Sequence, residues 1–179
     1  MADLQATPAV TGLPVTLGGV SLSLIDPAPV TSVAPYPGAD PDPALSALGL
    51  RFPAPGDVSG QGAVRLAWAG REMAFLIGAP APDGLDKQAA LSDQSGGWVW
   101  VRLAGGGARD VLARLTPLDL RESGLPVGGA ARAQLGHMQA LILRPLPDAY
   151  EIAVFRSMSG TLVHEITEAM RSVCARANM

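Results

Sequence analysis

Trp98-Val99-Trp100-Val101-Arg102-Leu103-Ala104-Gly105-Gly106-Gly107-Ala108 is the stretch whose reading decides the fold. Residues 98–103 place apolar groups on both sides of an extended chain, which predicts a strand covered on two faces and central in its sheet. The three glycines then turn the chain. Ala108, Val111, Leu112 and Leu115 follow at helical spacing, and Pro117 stops that helix. A loop with Gly124, Pro126, Gly128 and Gly129 leads to three strand-like runs, 131–136, 138–143 and 150–155. The last two are joined by a turn at 145–148. Ser157 or Ser159 offers an N-cap to a long helix with Leu162, Val163, Ile166, Ala169, Met170, Val173 and Cys174 along one stripe. Burying the larger of these side chains contributes about 1.5–3 kcal/mol each. The order is β-α-β-β-β-α, a ferredoxin-like succession. It predicts an α+β fold, with helices on one face of a mostly antiparallel sheet.

Upstream the pattern is looser. Residues 63–77 predict a β-hairpin around Gly70, and 15–25 read as a strand-like piece. Between them, Pro27, Pro29, Pro35, Pro37, Pro41 and Pro43 mark a proline-rich segment, 26–60. Each proline fixes φ and removes a backbone donor, so extended or turn-rich chain is expected, with one short helix at 43–48. Residues 79–97 read as a connection with a short helix at 86–91. The division falls there: an N-terminal β-rich half, 1–92, and a C-terminal α+β half, 93–179.

The 179 residues are 48% hydrophobic and 16% charged, enough apolar material for a buried core and against global disorder. A net charge of -3 gives no electrostatic reason to expect nucleic acid or an anionic membrane as partner. The charge is uneven: residues 1–97 hold four basic and nine acidic side chains, and 98–179 hold nine and seven. Lys87 is the only lysine among thirteen basic residues. Arginine suits planar pairing at interfaces, although a GC-rich genome is the plainer source of that bias. The residues Met1 to Gln5 show no leader pattern, and no apolar run approaches the roughly 18 residues of a membrane span. The cytoplasm is the expected location.

Candidate chemistry reduces mostly to structure. The run Gly105 to Asp110 follows a strand and opens a helix, where backbone N–H groups hold phosphates in other folds. Asp110 stands where that pattern needs a small residue, and its carboxylate would repel a phosphate, so a tight strand-to-helix turn is expected. His137 and His164 are the two histidines and lack neighbouring ligands for a metal. Cys174 lies on the apolar stripe and reads as an inert buried thiol. No serine sits in a nucleophile elbow. Trp98 and Trp100 point to one face; core packing is the plainer reading, and a partner anchor is the functional one.

Several runs resemble the gamma subunit of heterotetrameric sarcosine oxidase. They are residues 93–103, opening Asp93-Gln94-Ser95-Gly96-Gly97-Trp98, then 108–115, Thr116-Pro117-Leu118-Asp119-Leu120, Ala131-Arg132-Ala133-Gln134-Leu135-Gly136-His137 and Phe155-Arg156-Ser157. The resemblance covers about 93–170, with a looser match at Phe75-Leu76-Ile77-Gly78. Thr116 replaces a more typical cysteine, the final helix lacks a tryptophan near 162–164, and Gly106-Gly107 replaces Gly-Pro. These departures leave room for the corresponding subunit of an N-methylglutamate dehydrogenase.

The resemblance implies an aminomethyltransferase-like fold overall and a non-catalytic, structural subunit. In it, the complex oxidatively demethylates sarcosine with folate as one-carbon acceptor. It implies alpha, beta and delta partner subunits, with FAD, FMN, NAD, tetrahydrofolate and zinc held by them and no cofactor in this chain. Trp98, Asp119, Arg132, His137, Arg156 and Ser157 are the partner-contacting or fold-specific candidates, with no catalytic or metal residue expected. The competing reading is an independent tetrahydrofolate-binding or aminomethyl-transfer protein, which titration of the isolated chain with tetrahydrofolate would reveal.

Overall fold

The computed structural model describes residues 7–26 and 29–177. The N-terminal residues read for a leader, and Pro27, lie outside them. Fourteen elements of regular structure follow in order: β1 (Val15–Leu17), β2 (Val20–Ile25), β3 (Val30–Pro35), α1 (Asp42–Leu45), β4 (Val58–Ser59), β5 (Arg65–Gly70), β6 (Met73–Ile77), β7 (Ala89–Asp93), β8 (Trp98–Ala104), α2 (Ala108–Leu112), β9 (Ala130–Leu135), β10 (Met138–Leu146), β11 (Ala149–Phe155) and α3 (Ser159–Ala177). Short 3-10 turns lie at Ser46–Leu48, Leu85–Lys87 and Arg156–Met158. The strands form two antiparallel sheets, one of six strands in the order β1-β2-β8-β11-β10-β9 and one of five in the order β4-β5-β6-β3-β7.

The expected β-α-β-β-β-α succession is β8-α2-β9-β10-β11-α3, and β8 is interior, paired with β2 and β11. Its alternating residues explain why it reads as apolar on both faces. Val99, Val101 and Leu103 join the core under the helices, with Leu112, Ile152, Leu162 and Ile166. Trp98 and Trp100 face the second sheet and pack with Phe75, Ile77, Leu141 and Leu143. A third core lies on the far side of the second sheet, where Leu45 of α1 meets Val33, Leu66 and Leu76. The molecule is therefore layered: helices, six-stranded sheet, five-stranded sheet, and a cover of short helical turns.

The glycine turn is structural. Gly105 has φ +123°, and a Cβ there would lie 2.2 Å from the carbonyl oxygen of Gly19. That contact lets the β1–β2 turn approach the β8–α2 turn backbone to backbone. α2 is shorter than the sequence pattern predicts, ending at Leu112 before turns that reach Leu115 and Thr116.

Three expectations upstream are corrected, and one at the start of the last helix. Residues 15–25 form two strands, because Gly18 and Gly19, both at positive φ, fold them into a hairpin. The proline-rich segment contains an interior strand, β3, since 30–34 are free of proline and Pro35 stands at the strand end, where a missing donor is tolerated. Its Val30 and Val33 are fully buried. The short helix expected at 86–91 is instead the 3-10 turn Leu85–Lys87 followed by the edge strand β7. β7 buries Ala89 and packs Leu91 while its other side chains face water, which is why its composition reads as a connection. Finally, Ser159 does not serve as a side-chain cap for its helix. Its hydroxyl donates to the carbonyl of Ala9, 2.6 Å away, and ties α3 to the N-terminal arm. The helix expected near 43–48 is present as α1 and the turn after it.

Candidate functional site

Two features meet on the face of the six-stranded sheet that looks toward the second sheet. At one end is an aromatic and arginine cluster. The Trp98 indole packs edge-on against Phe75, with centroids 5.3 Å apart, and lies 4.6 Å from Phe155. Its Nε1 donates to Gln94 Oε1 at 3.2 Å. The Arg132 guanidinium sits over the indole, 5.3 Å from its centroid, a cation–π contact. Partial burial pushes the Arg132 pKa down. Arg156 follows Phe155; its backbone N–H donates to Gly97 and its side chain to Thr7. Phe155 and Met158 remain 52% and 41% exposed, large apolar groups beside an exposed arginine.

Thus Trp98 and Arg132 touch, and Arg156 and Ser157 follow Phe155, whose ring contacts Trp98. The Ser157 hydroxyl makes no hydrogen bond among the described residues. Asp119 and His137 are not part of this cluster. Asp119 staples its own loop: Oδ1 accepts from the Arg121 backbone at 3.0 Å, and both carboxylate oxygens accept from the Arg121 guanidinium. These bonds hold its pKa at about 2. His137 is exposed in the β9–β10 turn, whose Gly136 donates to Leu115. Cys174 is half-buried rather than buried and packs against Gly18.

About four residues further along β8 lies a feature that the sequence reading missed. Glu151 is 2% exposed on β11, directly across from Arg102. Arg102 Nη2 donates to Glu151 Oε1 at 2.6 Å. Arg65, from β5 of the other sheet, places Nη2 2.8 Å from Glu151 Oε2. That second contact is an ion pair by distance without hydrogen-bond geometry, so Oε2 accepts no hydrogen bond there. The triad bridges the two sheets and forms part of a cleft of about 840 Å³. The pointer to it was local: Arg102 and Glu151 each interrupt an otherwise apolar strand. Their pairing was not, because the partners come from 65, 102 and 151.

Arg144, also at the cleft, is 7% exposed and donates to the carbonyls of Leu125 and Pro147 and to Glu122. Its guanidinium lies over the ring of Tyr150, whose pKa burial pushes up. Among the described residues, no group of three or more His, Cys, Asp and Glu side chains is placed to hold a metal ion. No helix among them is long and apolar enough to cross a membrane.

Comparison with known proteins adds three findings. The family model described as sarcosine oxidase, gamma subunit family, matches residues 38–170, reaching well upstream of the runs quoted from the sequence. No curated protein sequence matches the chain. Among solved structures, the chain is similar to one of the heterotetrameric sarcosine oxidase from Corynebacterium sp. U-96 in complex with pyrrole 2-carboxylate. The TM-score is 0.77 at 22% identity, covering 90% of this chain and 88% of that one, a likeness of fold.

Proposed function

This chain belongs to the sarcosine oxidase gamma subunit family, and on that premise we propose that it is a structural, non-catalytic subunit of a heterotetrameric flavoenzyme. The complex oxidatively demethylates sarcosine, with folate as the one-carbon acceptor. Alpha, beta and delta subunits are its partners, and they hold FAD, FMN, NAD, tetrahydrofolate and zinc. The family match over 38–170 is the observation that carries this reading.

The use made of polar groups supports a structural role. The glycine turn is filled by backbone contact, Asp119 closes a loop, and Ser159 anchors the N-terminal arm. The partner-facing surface is assigned to the edge carrying Trp98, Arg132, Phe155, Arg156, Ser157 and Met158. Exposed aromatic and arginine side chains around a buried tryptophan are the composition of interface hot spots. Asp119 and His137 are assigned as fold-specific positions. The chain divides at 92/93, at the last residue of β7 and just before the turn that leads to β8, with the β1–β2 hairpin of the first half completing the sheet of the second.

Co-expression of the tagged chain with candidate alpha, beta and delta subunits tests the proposal. The expected result is a stoichiometric complex with bound flavin and sarcosine turnover, while the chain alone turns over no sarcosine. A chain that never co-purifies with a flavoprotein, or that oxidises sarcosine unaided, overturns it.

A further inference from the structure

We propose that the cleft between the two sheets is a binding site for a small organic monocarboxylate. Its anionic end would pair with Arg102 and Arg65, and its apolar body would lie against Ile25, Val58, Ile77 and Leu143. At about 840 Å³ the cleft falls within the roughly 300–1,000 Å³ of small-molecule sites. Those four side chains supply an apolar wall, and the guanidiniums supply a charged end.

The donors exceed the acceptors. A guanidinium carries about five N–H groups, yet each of Arg65 and Arg102 brings one nitrogen to Glu151. The Nε of both is buried without a hydrogen-bond partner. Arg102 nevertheless keeps 42% of its side chain exposed, so part of its fork is open to an incoming anion. Leaving such donors unmatched is costly, and a planar carboxylate is the acceptor whose geometry fits the fork.

The charge balance favours a monoanion. Arg65 and Arg102 flank the one carboxylate of Glu151, a local surplus of one positive charge within the triad, with Asp26 also in the lining. Arg144, on the same lining, is paired with Glu122 at 3.0 Å. A doubly charged phosphate would over-neutralise this surplus.

The full chain is titrated with benzoate, with its neutral isostere benzamide and with inorganic phosphate. Calorimetry gives affinity, and arginine Nε–H resonances in ¹⁵N-correlated NMR give location. Benzoate is expected to shift the Arg65 and Arg102 resonances and to bind at least tenfold more tightly than benzamide or phosphate. Arg102→Gln should weaken benzoate at least tenfold. Glu151→Gln removes the resident competitor, so it should bind benzoate severalfold more tightly than the wild type and gain more in Tm from it. No binding of benzoate, equal binding of benzamide, tighter binding of phosphate, or an unchanged affinity in Arg102→Gln overturns the proposal. So does a folded Glu151→Gln that binds benzoate no better than wild type. If Arg102→Gln fails to fold, Arg102→Lys replaces it, with a smaller loss expected because the charge stays and the fork is gone.

Discussion

The two faces of the six-stranded sheet are made by alternate residues of the same strands, yet they solve different problems. Toward the helices, β8 and β11 present Val99, Val101, Leu103, Tyr150, Ile152 and Val154, all buried in one core. Toward the second sheet they present Trp98, Trp100 and Ala153, and then Arg102 against Glu151. A buried ion pair gives little net stability against apolar residues of the same volume, because desolvating the charges offsets their attraction. The helix-side face is thus where burial holds the fold together. The inter-sheet face retains charge that stability does not require, and charge of that kind marks where recognition is to be sought.

The contrast is tested most severely by deleting volume on the apolar face. Leu103→Ala, at a fully buried position, should cost about 3–5 kcal/mol, read from the midpoint of urea unfolding. Glu151→Gln attacks the charged face. It leaves two guanidiniums facing each other and should cost about 2–3 kcal/mol, less than for a fully enclosed pair, because Arg102 stays hydrated. A loss from Glu151→Gln greater than that from Leu103→Ala would reverse the ranking of the faces.

Gly105→Ala places a methyl group against the Gly19 carbonyl and should cost about 1–3 kcal/mol by the same assay. A neutral result would detach the hairpin turn from the account of the helix-side core. Phe155→Ser removes an exposed ring stacked on Trp98 and should cost about 0.5–1.5 kcal/mol. Its larger effect should be a severalfold loss of co-purifying flavoprotein. Asp119→Asn, far from either face of the contrast, should have the smallest effect. The folded pKa of Asp119 lies at about 2, below its ordinary 3.8, so its stabilising contribution is present above about pH 4. That contribution disappears as pH falls through 2, so wild type and Asp119→Asn should converge in denaturation midpoint between pH 4 and 2.

What the sequence disclosed follows the same division. The second half was legible because each element carries its own signal: short strand-like runs bounded by turn residues in β9 to β11 and a helical stripe in α3. Strands β3 and β7 were not. Val30 to Pro35 is flanked by prolines that dominate any local reading, and its membership of a sheet interior depends on β6 and β7 pairing across it. Ala89 to Asp93 is an edge strand with one wet side, so little hydrophobic pattern survives.

The aromatic edge was partly legible, since Trp98, Arg132 and Arg156 stood out as residue types, although only the fold shows Arg132 over the indole. The Arg65–Glu151–Arg102 triad was not, because its members come from three strands of two sheets. A lone carboxylate in an apolar strand announces that it has a partner, without saying which.

The placement of β2 beside β8 also sets a schedule for the growing chain. Ser21 reaches Ala104 across 83 positions, so at synthesis rates of about 5–20 residues per second the hairpin waits on the order of 4–17 s for its neighbour. The strands of the second sheet lie within residues 30–93 and can pair during that wait. Val20 and Leu22, which end up fully buried, have neither β8 nor α3 to cover them until later. β1 and β2, made before the second sheet, are therefore among the last strands to be enclosed. An unpaired apolar edge during that interval is the moment in this chain's life most open to aggregation.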